Sequence, residues 1–444
     1  MTGRPDNGSG RAPVERRRVP GPADWDDRTL DHAALRPDTL AVRGGLVRSE
    51  FAETSEALFL TQGYVYRQAA DAEAAFAGDV DRFLYSRYGN PTVSTFEERL
   101  RLMEGAEAAM ATATGMSAVF TSLAALLSSG SRLVTARALF GATVVVFDEI
   151  FARWGIQVDY VDGHVLADWE QALATPADVV FFETPSNPMQ DLVDIARVSA
   201  LAHAAGAVVV VDNVFATPVL SRPLDHGADV VVYSATKHID GQGRVLGGAI
   251  LGSLEYIRGP VQKLVRATGP SLSPFNAWVL LKGLETLSLR VRHQAASALH
   301  LAQWLERHPA VASVRYPYLP SHPQHELALA QQSGGGTVVT FTLAVEDDLA
   351  PERARHRAFT VLDALRIVDI SNNLGDAKSI VTHPATTTHA KIGVEARAAV
   401  GIGETTIRLS VGLEDRQDLL EDLAQALGSL ADPAEASDAL RPRH

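Results

Sequence analysis

Five short apolar runs rich in β-branched residues, spaced along the middle of the chain, constrain its fold more than any other feature. They cover residues 132–135, 158–161, Val179–Glu183, Val208–Asp212 and 230–233, with stretches of helical spacing such as 193–205 between them. Runs this short and this uniformly apolar are strands buried on both faces, and intervening helices let them run parallel. The pattern therefore predicts an α/β domain with a mostly parallel sheet. Ligands of such sheets sit beyond the carboxyl ends of the strands. Glu183 and Asp212 each end an apolar run, so both belong on that rim.

Elsewhere the pattern differs. A helix containing 96–103 starts after Asn90-Pro91-Thr92, where Pro suits the first helical turn. From about Pro270 a long helix is expected over 275 to about 308, then a strand at 337–341, a helix at 351–365, a strand at 406–411 and a last helix. That succession describes a smaller α+β domain packed behind the first. At 444 residues the chain has room for two or three packed units. Residues 1 to about 30 are dominated by Gly, Pro, Arg and Asp with no apolar period, and read as a disordered extension; 431–444 read as a loose tail.

The formal net charge of −13 argues against nucleic-acid and anionic-membrane partners, since no basic excess is available to neutralise phosphates. The chain has no cysteine, which excludes a disulfide framework, a thiolate nucleophile and Cys-type zinc sites. No run approaches the ~20 apolar residues of a membrane span, and the first residues have no apolar core of a signal peptide. A cytoplasmic protein is expected.

The chemistry concentrates near Lys237. A lysine after a buried strand is by itself an ordinary surface residue. Here Ser234 and Thr236 place two hydroxyls beside it, and both can donate to phosphate oxygens. Asp212 ends the preceding strand, where a carboxylate can pair with a protonated pyridine nitrogen and keep that ring an electron sink. Thr114-Gly115-Met116-Ser117 opens an apolar helix over 118–127, and the free N–H groups of a helix start suit an anion. An ordinary small-residue cap explains that last motif equally well.

These segments resemble the Cys/Met-metabolism family of pyridoxal 5′-phosphate (PLP) enzymes over nearly the whole chain, from about Thr39 to Leu430. The resemblance rests on 85–92 (YSRYGNPT), 183–188 (ETPSNP), 212–218 (DNVFATP), 234–244 (SATKHIDGQGR), 272–278 (LSPFNAW) and 375–379 (GDAKS). It implies the aspartate-aminotransferase-like fold, fold type I, with a mostly parallel seven-stranded sheet in the large domain and a smaller α+β C-terminal domain. The implied division is a disordered extension at 1–30, an N-terminal arm over 31–84 serving the neighbouring subunit, a PLP-binding domain over 85–280, a C-terminal domain over 281–430 and a tail over 431–444.

The resemblance also assigns roles. Lys237 matches the Schiff-base lysine, Asp212 the partner of the ring nitrogen, and Gly115, Met116, Ser234 and Thr236 the phosphate cradle. Tyr85 and Arg87 match residues that reach the neighbouring subunit's cofactor, with Tyr85 also a catalytic candidate; this implies shared sites in a homo-oligomer, a tetramer built as a dimer of dimers. Arg408 matches the clamp for the substrate α-carboxylate, with Asn373 beside it as a substrate-binding residue; a guanidinium fork suits a planar carboxylate. Phe140 matches the ring that stacks on the cofactor. Many relatives have tyrosine there, and phenylalanine keeps the stacking face but has no proton to give.

Methionine γ-lyases of this family typically have cysteine where this chain has Ala142. The 240–244 and 373–378 segments instead resemble the sulfhydrylases, which implies γ-replacement on an O-acylhomoserine, the succinyl ester first, by sulfide. Cystathionine γ-synthase and O-acetylhomoserine sulfhydrylase activities are the alternatives, followed by methionine γ-lyase and a non-catalytic PLP-binding protein. Gly241–Gly247 only faintly imitates a dinucleotide fingerprint. His383 and His389 flank a Pro- and Thr-rich loop with no accompanying carboxylate or cysteine, so no metal site is expected.

Overall fold

The computed structural model describes residues 31–346 and 348–431. The expected extension at 1–30, and all but the first residue of the expected tail at 431–444, lie outside the described residues. The first sheet contains β1 (Ala108–Thr112), β2 (Arg132–Ala136), β3 (Gln157–Val161), β4 (Val179–Glu183), β5 (Val208–Asp212), β6 (Val230–Ser234) and β7 (Gly248–Gly252), in the order β1-β7-β6-β5-β4-β2-β3. β2 to β6 pair in parallel, and β7 runs antiparallel between β1 and β6. The five parallel strands are the five apolar runs. β1 and β7 were not foreseen: Ala-Ala-Met-Ala-Thr and Gly-Ala-Ile-Leu-Gly have a single β-branched residue each, Thr112 and Ile250, too few to mark a strand. Burial decides their state instead, since every residue of both is buried.

The second sheet holds β8 (Val311–Arg315), β9 (Val338–Leu343), β10 (Asp369–Ile370), β11 (Ile380–Thr382) and β12 (Thr406–Ser410), in the order β10-β11-β12-β9-β8. Alternation along β12 sets its two faces. Ile407 and Leu409 join Leu301, Leu305, Leu419 and Leu423 in the core between this sheet and its helices. Arg408, between them in sequence, points to the other side and hydrogen-bonds Asn187 of the first domain.

The single helix expected over 275 to about 308 is two helices, Pro274–Glu285 and Leu287–Leu305. The break has a local cause. Thr286 sits at φ −114°, ψ 3°, and the carbonyl of Gly283 accepts from the buried Arg290 guanidinium at 2.8 Å instead of continuing the helical ladder. The same guanidinium donates to the carbonyl of His238 at 2.7 Å, so the break ties this helix pair to the residue after Lys237.

Behind the sheet, a buried polar network braces the strand ends that carry Asp212 and Ser234. Tyr233 Oη donates to Glu104 Oε2 at 2.5 Å, and Asn213 Nδ2 donates to Tyr233 Oη at 2.7 Å and to the Ser221 carbonyl at 2.8 Å. Glu104 Oε1 has no donor among the described residues. Burial with one oxygen unsatisfied pushes the carboxyl up from its ordinary 4.5 to about 8, against the opposing pull of the Tyr233 hydroxyl. An acid whose proton is held more tightly in the folded chain adds stability that is full below its ordinary range and is lost as pH rises toward about 8. Glu104→Gln keeps an acceptor for Tyr233 and removes the titration. The variant's melting temperature, relative to the wild type, is expected to rise by a few degrees between pH 5 and pH 8.5 in calorimetry at constant salt; a difference independent of pH would show that the Glu104 carboxyl is not raised in the folded chain.

Candidate active site

The carboxyl ends of β4, β5 and β6 bring the acidic part of the site together. Glu183 and Asp212 are register partners on adjacent parallel strands, so their side chains project to the same face about 4.8 Å apart at the backbone. Asp212 Oδ1 accepts the N–H of Val214 at 3.0 Å, and Glu183 Oε1 accepts the N–H of Phe140 at 2.8 Å. Burial raises the proton affinity of both carboxyls, and for Glu183 the charge of Asp212 adds to it. No lysine or arginine forms an ion pair with either among the described residues. A buried carboxylate pair without a cation is costly, and a bound cationic N–H donor would relieve it.

Beyond β6 the chain turns through Ala235-Thr236-Lys237-His238. The Lys237 N–H donates to the Ser234 carbonyl at 3.2 Å, and its own carbonyl accepts the Gly241 N–H at 2.8 Å, which fixes the base of the side chain. Ser234 faces the start of the helix Gly115–Ala124, where Thr114 Oγ1 caps the N–H of Ser117 at 3.0 Å. The approach is close enough that a Cβ on Gly115 would overlap Cα, Cβ and Oγ of Ser234. Ser234 Oγ has no hydrogen-bond partner among the described residues, whereas the Thr236 hydroxyl is engaged with the backbone of Gly247, accepting its N–H at 3.1 Å and donating to its carbonyl at 3.2 Å. Met116 follows Gly115 in the first turn of that helix, with its sulfur 4.0 Å from Thr143 Oγ1.

The second sheet closes the site. Lys237 Nζ donates to Asn373 Oδ1, and the carbonyl of Asn373 in turn accepts from Arg408 Nη2 at 2.8 Å. Arg408 also donates to the Asn372 carbonyl at 3.1 Å and to Asn187 Oδ1 at 2.9 Å, while its Nε has no acceptor among the described residues. Burial, then the charge of Arg408, lowers the Lys237 amine to about 8; burial lowers Arg408 to about 10. A lysine so desolvated has free base available near neutral pH, which an ordinary lysine lacks.

Two sequence segments noted separately turn out to interlock here. The Ala377 N–H donates to the Gly241 carbonyl at 2.8 Å, and Gly375, at φ +75°, packs so closely on His238 that a Cβ would lie 2.7 Å from its backbone nitrogen. His238 Nε2 is 2.7 Å from Thr337 Oγ1 at the head of β9. The lysine turn is thus bolted to the segment that presents Asn373.

Lys237, Asp212, Gly115, Ser234, Asn373 and Arg408 fall on these connected elements, and Phe140 joins them through Glu183. Tyr85 and Arg87 do not. Arg87 stacks 4.9 Å from the Tyr88 ring and donates to the Arg266 carbonyl, and Tyr85 bridges to Gly63. Sequence reading did not find Asn187 or the backbone of Asn372, and no periodicity or spacing marks them. His389, set aside as a metal ligand, lies near Arg408, which together with burial lowers it to about 4. His383 is held by Thr386 Oγ1 and the Glu404 carbonyl, each at 2.9 Å. The donor set suits a phosphorylated, cationic ring with a carbonyl: an open hydroxyl and helix start for the phosphate, buried carboxylates for the ring N–H, and a desolvated amine for the carbonyl.

The family model for Cys/Met metabolism PLP-dependent enzymes matches residues 38–428. An O-succinylhomoserine sulfhydrylase of Mycobacterium tuberculosis is 66% identical over 389 residues, covering 88% of this chain and 95% of that protein. One from Pseudomonas aeruginosa is 52% identical over 411 residues, covering 92% and 99%. Among solved structures, a protein from Campylobacter jejuni named as an O-acetylhomoserine (thiol)-lyase superposes with a TM-score of 0.83 at 30% identity, covering 89% of this chain and 100% of that one, and carries N′-pyridoxyl-lysine-5′-monophosphate.

Gly115→Ala places a methyl where Ser234 stands. It is expected to weaken PLP binding by at least about tenfold in absorbance titration of the cofactor-free protein. Unchanged affinity would remove the Gly115–Ser234 approach from the phosphate cradle.

Proposed function

Because this chain belongs to the family of Cys/Met metabolism PLP-dependent enzymes, we propose that it converts O-succinyl-L-homoserine and sulfide to L-homocysteine and succinate by γ-replacement, as a step of methionine biosynthesis. The observation that carries the reading is the connected set Lys237–Asn373–Arg408, which sets a desolvated amine beside a carboxylate clamp. The succinyl ester and sulfide come from the two sulfhydrylases it resembles at 66% and 52% identity.

Bound at the strand ends, PLP supplies an electron sink for the charge released at the substrate carbons. The residues do the rest. Arg408 grips the α-carboxylate, with Nε as the donor that no group among the described residues satisfies and with Asn187 and the carbonyls of Asn372 and Asn373 holding the guanidinium in place. Asn373 receives the Lys237 amine and orients it toward the clamped substrate. Lys237 takes the proton at Cα, releases it to water, and only then takes one at Cβ, since an ammonium has no lone pair for a second; one proton goes back to each carbon once sulfide has replaced succinate at Cγ, and an amine lowered to about 8 suits both directions of transfer. Asp212 holds the proton of the ring nitrogen. Gly115, Met116, Ser234 and Thr236 receive the phosphate, Thr236 by turning its hydroxyl from Gly247. Phe140 covers the ring and has no proton to donate, so the leaving group's proton comes from Lys237, Tyr85 or water.

The working unit in this reading is a cytoplasmic homotetramer, a dimer of dimers in which Tyr85 and Arg87 reach the neighbouring subunit's cofactor. The arm over 31–84, the PLP domain over 85–280 and the C-terminal domain over 281–430 are its parts. What supports the shared site is the apolar surface of the arm, where Val47, Phe51, Leu60, Val65 and Phe76 are all exposed, a concentration of large apolar side chains that a neighbouring subunit would cover. Among the described residues no helix is long and apolar enough to cross a membrane.

Steady-state kcat/KM of the holoenzyme for O-succinyl- and O-acetylhomoserine, each with sulfide and with cysteine, tests the assignment. The succinyl ester with sulfide is expected to be the best pair, and Lys237→Ala to abolish homocysteine formation. Cleavage of methionine with neither ester turned over would replace the reading with a lyase.

A further inference from the structure

Glu183 touches three parts of the site, yet the reaction above makes no use of it. From β4 its side chain lies on the same face as Asp212 of β5, its register partner. Through Oε1 it accepts the backbone N–H of Phe140, in the segment that follows β2, at 2.8 Å. On its remaining side it lines a cavity of about 340 Å³ with Arg137, Asp162, His164, Asp191 and Arg315, the charged and titratable groups that face it there. A carboxylate serving only the sheet would not need to be buried against another carboxylate, since like charges at this separation repel.

We propose that Glu183 is a positioning residue with two separable tasks: one oxygen anchors the backbone of Phe140, and its carboxylate charge sets how tightly Asp212 holds a proton. The assignment rests on the roles given above to Phe140 and Asp212. The anchor matters because Phe140 begins the short helix Gly141–Val145, and no side chain caps that helix. Glu183 is the only group among the described residues whose side chain bonds the Phe140 N–H. The charge matters because a neighbouring anion makes Asp212 harder to ionise, and Asp212 must be ionised to hold the proton of the ring nitrogen.

Two conservative variants separate the tasks. Glu183→Gln keeps an acceptor oxygen for Phe140 and loses the charge. Glu183→Asp keeps the charge and, one methylene shorter, withdraws the oxygen from the Phe140 N–H. Two readouts on the holoenzyme follow: the rate at which PLP dissociates on dilution, from loss of its absorption band, and the acidic limb of the pH profile of kcat/KM. E183D is expected to release PLP about tenfold faster, the worth of one hydrogen bond to a charged group, with the acidic limb in place. E183Q is expected to release PLP within about threefold of the wild-type rate, with the acidic limb about one pH unit lower, because Asp212 without its anionic neighbour stays ionised further into acid. Any pattern in which the two readouts fail to separate, both moving in both variants or neither moving, overturns the assignment. Wild-type holoenzyme measured alongside distinguishes the two layers: if it turns over no O-acylhomoserine, the functional reading fails, whereas an active wild type with unseparated variants overturns the role of Glu183 alone.

Discussion

The hydrogen bond from Lys237 to Asn373 is the contact on which the arrangement of the molecule turns. Each partner belongs to a different sheet system, and neither sheet contains a complete site. A buried ammonium needs acceptors, and among the described residues the side-chain hydrogen bond of Lys237 Nζ goes to Asn373, while Asp212 and Glu183 stand one strand and two strands away from β6. The acceptor comes instead from the loop between β10 and β11. The same loop then supplies two carbonyls to Arg408, so a single segment of the second domain provides acceptors to both buried cations. Losing the Asn373 acceptor would leave the ammonium without a hydrogen-bond partner in low dielectric, which is among the costlier changes a fold can suffer. The position of the second sheet is therefore dictated by the needs of the first.

The rest of the packing serves to hold that contact. Gly375 lies against His238 with no room for a side chain, His238 reaches Thr337 at the head of β9, and Arg290 fastens the carbonyl of His238 to the break between two helices. That break explains why one long helix would not have served. The carbonyl of Gly283, released from the ladder, is what anchors Arg290, and through it the lysine turn. Local irregularity here buys position, as a continuous helix would direct the same carbonyl along its own axis.

How much of this was legible in the sequence depends on range. The parallel strands were, because burial on both faces writes itself as runs such as Val179–Glu183 and Val208–Asp212. β1 and β7 were not, because these Ala- and Gly-rich strands have one β-branched residue each, Thr112 and Ile250, and only their complete burial in the fold sets them apart. Lys237 and Asp212 were singled out because each sits in a run shared with the family, 234–244 and 212–218, whereas Arg408 and the helix start at 115–117 were assigned only by their place in the resemblance. Asn187 lies in the 183–188 run, but its contact with Arg408, 221 positions away, leaves no local trace, and neither does that of the Asn372 carbonyl, a group every residue possesses. The interlock of 240–244 with 373–378 was half legible, as two segments with a common resemblance; that they touch, through Ala377 and Gly241, is a property of the fold.

The charges of the site then follow one logic. Its cations, Lys237 and Arg408, are paired with neutral amides and carbonyls, and its anions, Glu183 and Asp212, with backbone N–H groups. Opposite charges are thus kept apart, although pairing them would relieve both. Had Lys237 been set against Asp212, its amine would be held protonated, since a neighbouring anion favours the charged form. Set instead near Arg408 it is lowered to about 8 and can act as a base. Phenylalanine at 140, in place of a phenol, has no proton to exchange, so in the proposed reaction more of the proton traffic falls on the lysine. The separation of charge that makes the protein alone expensive is what leaves each charge free for the ligand it is there to bind.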